Sequence, residues 1–276
     1  MAARARVAFQ GAPGAWSEVA LFALHPHDEP EAVPLPHFQD VFAALAAGEV
    51  DAAVVPVENS TTGSVFQVVD LLFDSEVAVT GEAIVPIRHA LVARRGVRLA
   101  DVKRVLSHPQ ALDQCEPFLR RHGLQPVPAF DTAGAAAQLA TEGPDCAALA
   151  SPLAARLHDL DVLARDVAHE TNLTRFFLLE RAARPVAAAD TTTLGFVAAH
   201  RPGALLRCLA AFADHGINLL KLESRPVPGQ PWHYRFLVDF EGAAADAAVQ
   251  RALAQLAWHA ERVRVFGSYR RATQPA

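Results

Sequence analysis

The sequence lacks the features that mark several large classes of protein. It holds only three cysteines, Cys115, Cys146 and Cys208, and no CxxC pair. Neither a disulfide framework nor a cysteine zinc site is expected, and the three read as reduced, small core residues. No apolar run approaches the ~18 residues that a membrane-spanning helix needs. The opening residues pass directly into Val7-Ala-Phe-Gln10 without the apolar stretch of a secretory signal. Excess basic charge is missing too: 25 Lys and Arg stand against 30 Asp and Glu, a formal charge of −5, which argues against a nucleic-acid partner. Gly11-Ala-Pro-Gly14 lies between a strand and a helix as a phosphate loop would, yet neither GxGxxG nor GxxxxGK occurs, and there is no GxSxG elbow. His25-Pro-His27 lacks the spacing of a zinc site. These absences leave a soluble globular protein, expected in the cytoplasm, with no metal, cofactor or membrane partner.

What is present divides the chain. The 276 residues, 51 % hydrophobic, suffice for one large domain or two smaller ones. Residues 1–190 carry fifteen Lys and Arg against twenty-four Asp and Glu, net −9, whereas 191–276 carry ten against six, net +4. Between them Ala182–Asp190 has no strand alternation and contains Pro185, a helix breaker. The larger part alternates strand candidates (Val7–Gln10, Ala52–Val57, Val77–Val85, Ala90–Ala93, Arg104–Leu106, Cys146–Ala150) with helix candidates (Ser17–Leu24, Phe38–Ala47, Ser64–Phe73, Gln110–His122, Thr132–Glu142). That order predicts an α/β fold with largely parallel sheets, Ser17 capping the first helix and Pro109 opening another. The smaller part reads strand, helix, strand, strand, helix, strand, a ferredoxin-like βαββαβ sandwich.

Three loops of the larger part carry polar groups beyond strand ends, where ligands of open α/β sheets bind. Pro56-Val-Glu-Asn-Ser60 through Ser64 offers an amide, hydroxyls and a glycine, although the same residues also make ordinary turns. Ser107-His-Pro-Gln-Ala-Leu112 joins a strand to a helix whose N-terminus suits a carboxylate. Asn172-Leu-Thr-Arg-Phe176 opens an apolar strand. Its Arg175 can grip a carboxylate bidentately or can simply balance Glu180 or Glu170.

Taken in order, these segments resemble the monofunctional prephenate dehydratases. The match runs through Gly11-x-x-Gly14 with Ser17-Glu18, Pro56–Ser60 with Gly63 and Val65, Ser107–Leu112, Gln114-Cys115, Asp131-Thr-Ala133 and Asn172-x-Thr-Arg-Phe176. The tail, with Gly203-Ala-Leu205, Ile217-Asn-Leu219 and Glu223-Ser-Arg-Pro226, resembles an ACT regulatory domain. The family usually has threonine or a similar residue where Ala15 stands, and often an aspartate before Asn172, where Ala168-His-Glu-Thr171 here is one residue shorter with His169 at about that place. The resemblance implies a catalytic domain over 1–181 with two lobes like those of periplasmic binding proteins, a linker over 182–190, and an ACT domain over 191–276. The chain would cross between lobes near 80–90 and return near 160–170.

The implied reaction is the decarboxylative dehydration of prephenate to phenylpyruvate. Aromatisation drives it, so no metal or strong base is required. By the same resemblance Thr174, Arg175 and Phe176 are catalytic: Thr174 would hydrogen-bond the leaving hydroxyl, Arg175 would hold a carboxylate or fix the Thr174 loop, and Phe176 would form an apolar wall beside the ring. Glu58, Asn59, Ser60, Gly63, Ser107, His108, Gln110, Ala111, Thr132 and Asn172 bind substrate. L-Phenylalanine would bind between two ACT domains at Gly203, Ala204, Leu205, Leu206, Asn218, Leu219 and Leu220. Glu223, Ser224, Arg225 and Pro226 would couple that site to the cleft, in a homodimer or tetramer. Arogenate dehydratase, a non-catalytic sensor of aromatic acids and a solute-binding protein are the competing readings.

Overall fold

Runs of β-branched and apolar residues, separated by helices whose apolar faces recur at helical spacing, build three sheets in a computed structural model describing residues 4–25, 30–169 and 171–273. The first lobe consists of β1 (Arg6–Gln10), α1 (Trp16–Leu24), β2 (Glu31–Leu35), α2 (Phe38–Ala47), β3 (Ala52–Asn59), the short β4 (Gly63–Ser64), α3 (Phe66–Asp74) and β5 (Ala78–Pro86). The chain then crosses to a second lobe of β6 (Ala90–Arg94), β7 (Arg104–Ser107), α4 (Pro109–Gln114), α5 (Glu116–Arg121), β8 (Gln125–Pro128), α6 (Thr132–Gln138), β9 (Cys146–Ala150), α7 (Pro152–Leu157) and β10 (Leu160–Ala164). It returns to the first lobe as β11 (Leu173–Glu180), and residues 181–190 form no helix or strand. The C-terminal module follows as β12 (Thr191–Ala198), α8 (Ala204–Ala213), β13 (Leu219–Val227), β14 (Gln230–Glu241), α9 (Ala247–His259) and β15 (Ala260–Tyr269), the expected βαββαβ order.

The sheet orders are β2-β1-β3-β11-β5 with β4 beside β3, β10-β6-β9-β7-β8, and β13-β14-β12-β15. The first two sheets are mixed rather than largely parallel: β11 runs against both β3 and β5, and β6 runs against β9 and β10. The reversed strands, β6 and β11, are those by which the chain enters a lobe after crossing from the other, whereas the departing strands β5 and β10 run with their sheets, which sequence order alone did not reveal. The strands that patterning missed, β2, β8 and β10, are all edge strands. Pro34, Pro126 and Pro128 read as breakers but are tolerated where a strand has one free side. The helix expected over 110–122 is two, broken at Cys115, because Pro117 lacks the N–H that would continue the ladder. Ser17 does not cap α1. Ala15 holds that position, and the carboxylate of Glu18 takes the Gly14 N–H at 2.5 Å.

Strands β3 and β11 are buried on both faces. Val54, Phe176 and Leu178 pack with Leu21 of α1. On the other face Val55, Val57, Phe177 and Leu179 share one core with α2, α3 and Leu237, Phe266 and Tyr269 of the C-terminal module. The βαββαβ sheet is therefore covered twice, by α8 and α9 on one side and by the first lobe on the other. Two glycines permit this approach: a Cβ on Gly267 would lie 2.0 Å from the Val79 carbonyl oxygen, and one on Gly195 would lie 2.3 Å from the Phe73 ring.

Candidate active site

Between the lobes lies a cleft of about 460 Å³, floored by the end of β3 and the start of β11. Thr174 pairs with Asn59 across these strands, and directly opposed residues share a face. The register slips between them. Arg175 opposes Glu58 but Phe176 opposes Pro56, leaving Val57 as an extra residue. Strict alternation from Pro56, which lines the cleft, would have put Glu58 there too. The bulge instead turns Glu58 to the far face and brings Asn59 round to Thr174.

Asn59 orders this end of the cleft. Its Oδ1 accepts the backbone N–H groups of Thr61 and Thr62, both at 3.1 Å, and the Thr61 hydroxyl at 2.6 Å. Backbone N–H groups only donate, so the amide has one possible orientation and Nδ2 must face the other way. There it donates to Asn172 Oδ1 at 2.6 Å and to Thr174 Oγ1 at 2.8 Å. Asn172 Nδ2 in turn donates to Gln114 Oε1 at 2.9 Å, and Gln114 Nε2 to Thr61 Oγ1 at 3.2 Å. Gln114 belongs to the second lobe, so this ring of amides bridges the two. Thr174 Oγ1 is an acceptor within it, and among the described residues no group takes its hydrogen. That hydrogen is available to a ligand.

Phe176 supplies an apolar wall, and His108, Gln110, Ala111 and Thr132 reach the cleft from the second lobe, as does Asp131. Gln110 Nε2 donates to Thr62 Oγ1 at 3.2 Å, a second bridge between lobes. Ala15, Trp16 and Ser17 bring the N-terminal, positive end of α1 to the cleft wall. Sequence reasoning missed Trp16, His89 and Gln114 as site residues, and saw Thr61 and Thr62 only as hydroxyls of the loop after β3. Gln114 stood in a recognised motif without a role assigned to it, and His89 had no pattern around it. His89 is almost wholly buried with its ring edge-on to Trp16. Desolvation, partly opposed by its bond to Gln114, lowers its pKa from 6.5 to about 4. It is a neutral imidazole near pH 7 and no proton donor there.

Other expected site residues lie elsewhere. Ser107 is fully buried and its hydroxyl donates to the Leu149 carbonyl at 2.8 Å, tying β7 to β9. Ser60 Oγ accepts the Leu173 N–H at 2.9 Å and faces a different cavity. Gly63 forms the positive-φ corner of the β3–β4 hairpin. The expectation that Arg175 and Glu58 face substrate is corrected. One residue on from Thr174, Arg175 must project from the opposite face of β11. There its guanidinium lies 2.6 Å from Asp239 and 3.3 Å from both Glu82 and Glu58. Glu180, the alternative partner, binds Arg184 instead; Glu170 and His27 fall outside the described residues. Burial pulls the Arg175 pKa down, but the fields of Asp239, Tyr269 and Glu82 outweigh it and hold the group above its ordinary value. Burial also raises Glu82, against the pull of Arg175.

In the C-terminal module Gly203, at φ +74°, opens α8 beside a cavity of about 330 Å³ lined by Ala198–Pro202, Ala204, Leu205, Tyr234 and Phe236. Leu206 is 71 % exposed on the outer helix face. Asn218 gives its carbonyl to the Glu241 N–H, and Leu219 packs in the module core. Leu220 lies in the second cavity, between the module and the first lobe. Along the edge strand β13, Ser224 and Pro226 face solvent while Glu223 meets β4 and Arg225 meets α3 of the first lobe. Glu223 accepts the Ser64 hydroxyl at 2.6 Å, and Arg225 grips Asp70 with two bonds of 3.0 and 2.6 Å. Arg225 and Arg235 together hold the Asp70 pKa low against the opposing effect of burial.

Comparison with known proteins fits this geometry. The family model for prephenate dehydratase matches residues 7–184, and that for the ACT domain matches 192–257. The chain is 42 % identical to arogenate dehydratase/prephenate dehydratase 2, chloroplastic, of Arabidopsis thaliana, over 96 % of this chain and 73 % of that protein. It superposes on the prephenate dehydratase of Arthrobacter aurescens, solved with L-Phe, with a TM-score of 0.89 and 37 % identity over 98 % of this chain and 92 % of that one. It also superposes on GqqA, described as a novel type of quorum quenching acylase, with a TM-score of 0.90 and 34 % identity over 97 and 98 %. The expected cytoplasmic location is corrected by these relatives, since the Arabidopsis enzyme is chloroplastic. The three cysteines are free and buried and do not single out the cytoplasm.

Proposed function

The chain belongs to the prephenate dehydratase family and carries an ACT domain, and from that premise we propose that its interlobe cleft converts prephenate to phenylpyruvate, carbon dioxide and water under control by L-phenylalanine. Two of the three relatives compared are dehydratases of arogenate or prephenate by name. The same fold serves a protein described as an acylase, so the argument rests on the site and not on the fold. The observation that carries it is the Asn59–Thr174 pair: a cleft-lining hydroxyl with an amide donor behind it, whose own hydrogen no described residue takes.

In this reaction the bond to the departing carboxylate breaks, its electron pair enters the ring, and the C–O bond on the opposite ring carbon breaks. Hydroxide leaves with a proton as water. The Asn59 N–H polarises Thr174, whose O–H is poised to hydrogen-bond the leaving oxygen as negative charge grows on it. Phe176 flanks the ring, and the amides of Gln110, Gln114 and Asn172 are available for the remaining oxygens. The N-terminus of α1 suits a carboxylate.

A second reading, the same elimination on arogenate, is favoured by the charges of the cleft. Among the described residues no Lys or Arg lines it, and Asp131 does. Prephenate is a dianion, whereas arogenate carries an ammonium that partly neutralises its two carboxylates. For regulation, the reading places L-phenylalanine at the cavity beside Gly203, with residues 1–181 catalytic, 182–190 a linker, 191–276 regulatory, and paired ACT domains giving a dimer or tetramer. The test is turnover on prephenate and on arogenate, with and without L-phenylalanine. A product from either that falls when L-phenylalanine is added supports the proposal. No turnover on either substrate rejects it and favours a sensor.

A further inference from the structure

The two residues at the centre of the site are each followed or preceded by a charged residue that belongs to a different environment. Glu58 precedes Asn59 on β3, and Arg175 follows Thr174 on β11. Both project from the far face of the sheet, onto the ACT module. Arg175 meets Asp239 of β14 at 2.6 Å, and Glu58 meets Lys221 of β13 at 2.7 Å. Arg175 and Glu58 also pair with each other at 3.3 Å.

This is more than surface docking. Asp239 is fully buried, with its second oxygen accepting the Thr193 hydroxyl at 2.7 Å. Thr193 in turn lies 2.7 Å from the buried Tyr269 hydroxyl. Among the described residues Arg175 is the cation paired with Asp239. A buried carboxylate of the regulatory module is thus neutralised by a residue of the catalytic strand; withdrawing Arg175 strands the charge of Asp239, while withdrawing Asp239 leaves Arg175 to Glu82 and Glu58 alone and shifts its guanidinium towards them. The same interface has a second set of ion pairs, Arg225 and Arg235 on Asp70, with Arg235 also on Asp74. Those grip α3 and do not touch β3 or β11.

We infer that Asp239 and Lys221 are positioning residues: acting through Arg175 and Glu58 they set the spacing of the Asn59–Thr174 pair, so that displacement of the ACT sheet alters turnover in place of substrate affinity. The inference rests on Thr174 being the donor to the leaving group. A Thr174 hydroxyl displaced by a fraction of an ångström still binds substrate through the other cleft groups but loses alignment with the leaving oxygen.

The test uses the full-length protein and compares Asp239→Asn and Lys221→Met with Asp70→Asn, which weakens the same interface at α3. Asp239→Asn is expected to lower kcat by about tenfold or more with KM changed by less than about twofold. Lys221→Met should fall in the same direction, while Asp70→Asn lowers thermal stability and leaves both kinetic constants near wild type. Equal kcat losses in Asp239→Asn and Asp70→Asn would reduce the contacts to docking and overturn the inference, as would a raised KM at unchanged kcat. Should Asp239→Asn fail to fold, Lys221→Met decides by the same criteria. Wild type and Thr174→Ala are measured alongside. If wild type turns over, Thr174→Ala is dead and Asp239→Asn is unaffected, only this inference fails; if wild type itself is inactive, the functional reading fails first.

Discussion

Replacing Asn59 by aspartate changes one NH₂ group into an oxygen and little else in shape. The four donors on the Oδ1 side, the N–H and hydroxyl groups of Thr61 and Thr62, suit a carboxylate well, so the variant should fold and carry an ionised group. On the other side the consequences are opposite. Thr174 now faces an acceptor at the 2.8 Å contact, and its hydrogen turns away from the cleft to meet it. A hydrogen bond to a charged group is worth about 1.5–3 kcal/mol, which must be given up before Thr174 can serve the leaving oxygen. At about 1.4 kcal/mol per tenfold in rate, kcat should fall by about 10- to 150-fold. Asn172 Oδ1, at 2.6 Å from the same atom, is also repelled, which adds to the loss. The assay is steady-state formation of phenylpyruvate, read as its enolate in alkali, on variant protein whose melting temperature has been checked. A kcat within about threefold of wild type would refute the assigned direction of the Asn59–Thr174 bond.

Three further outcomes follow from particular contacts. The folded-state pKa of His89 is depressed from 6.5 to about 4, so below pH 6.5 the unfolded chain binds the extra proton and the folded one does not. Stability conferred by neutral His89 is intact above pH 6.5 and is lost as pH falls towards 4, by about 3 kcal/mol at full extent. Urea midpoints between pH 4 and 7 should therefore fall less steeply in His89→Gln, and parallel curves would contradict this. In Gly267→Ala the new methyl meets the Val79 carbonyl oxygen at 2.0 Å, and the strain should cost roughly 1–3 kcal/mol, seen as a lowered melting temperature; an unchanged one would mean that β15 is not held against β5. The thiols of Cys115 and Cys146 are pushed up by burial to about 12 and about 11, so a disulfide reagent should label neither until the protein is denatured, and rapid labelling of the native protein would show that these cores open.

Much of the fold could be read from the sequence because the central strands are strongly patterned. Val7–Gln10, Ala52–Val57 and Cys146–Ala150 emerge as β1, β3 and β9 with shifts at the ends only. Edge strands such as Gln125–Pro128 carry half the burial and tolerate proline, so their signal was close to that of a loop. In the site, Asn59, Thr174 and Phe176 were legible as neighbours in motifs, and the cleft brings them together. Arg175 and Glu58 were not, for two separate reasons. An arginine beside a threonine in a motif invites one shared role, whereas strand alternation sends the two to opposite faces. The bulge at Val57 is marked only by Pro56 beside it, a residue that central strands accept at bulges but that equally reads as a strand end. A similar gap explains β14. Its alternation of Phe236, Val238 and Phe240 with Arg235, Leu237 and Asp239 predicts one buried face, but the charged residues are buried too, each paired with a partner from the first lobe.

The central claim is that Thr174 serves the departing hydroxyl, and the most direct measurement is single-turnover formation, by Thr174→Ala, of phenylpyruvate from saturating prephenate or of phenylalanine from saturating arogenate. Loss of one preorganised donor of this kind costs about 10²- to 10³-fold in the chemical step. The account predicts a fall of that size with substrate binding retained, because the amide ring of Asn59, Asn172 and Gln114 stays in place. A chemical step in Thr174→Ala as fast as in wild type would contradict it.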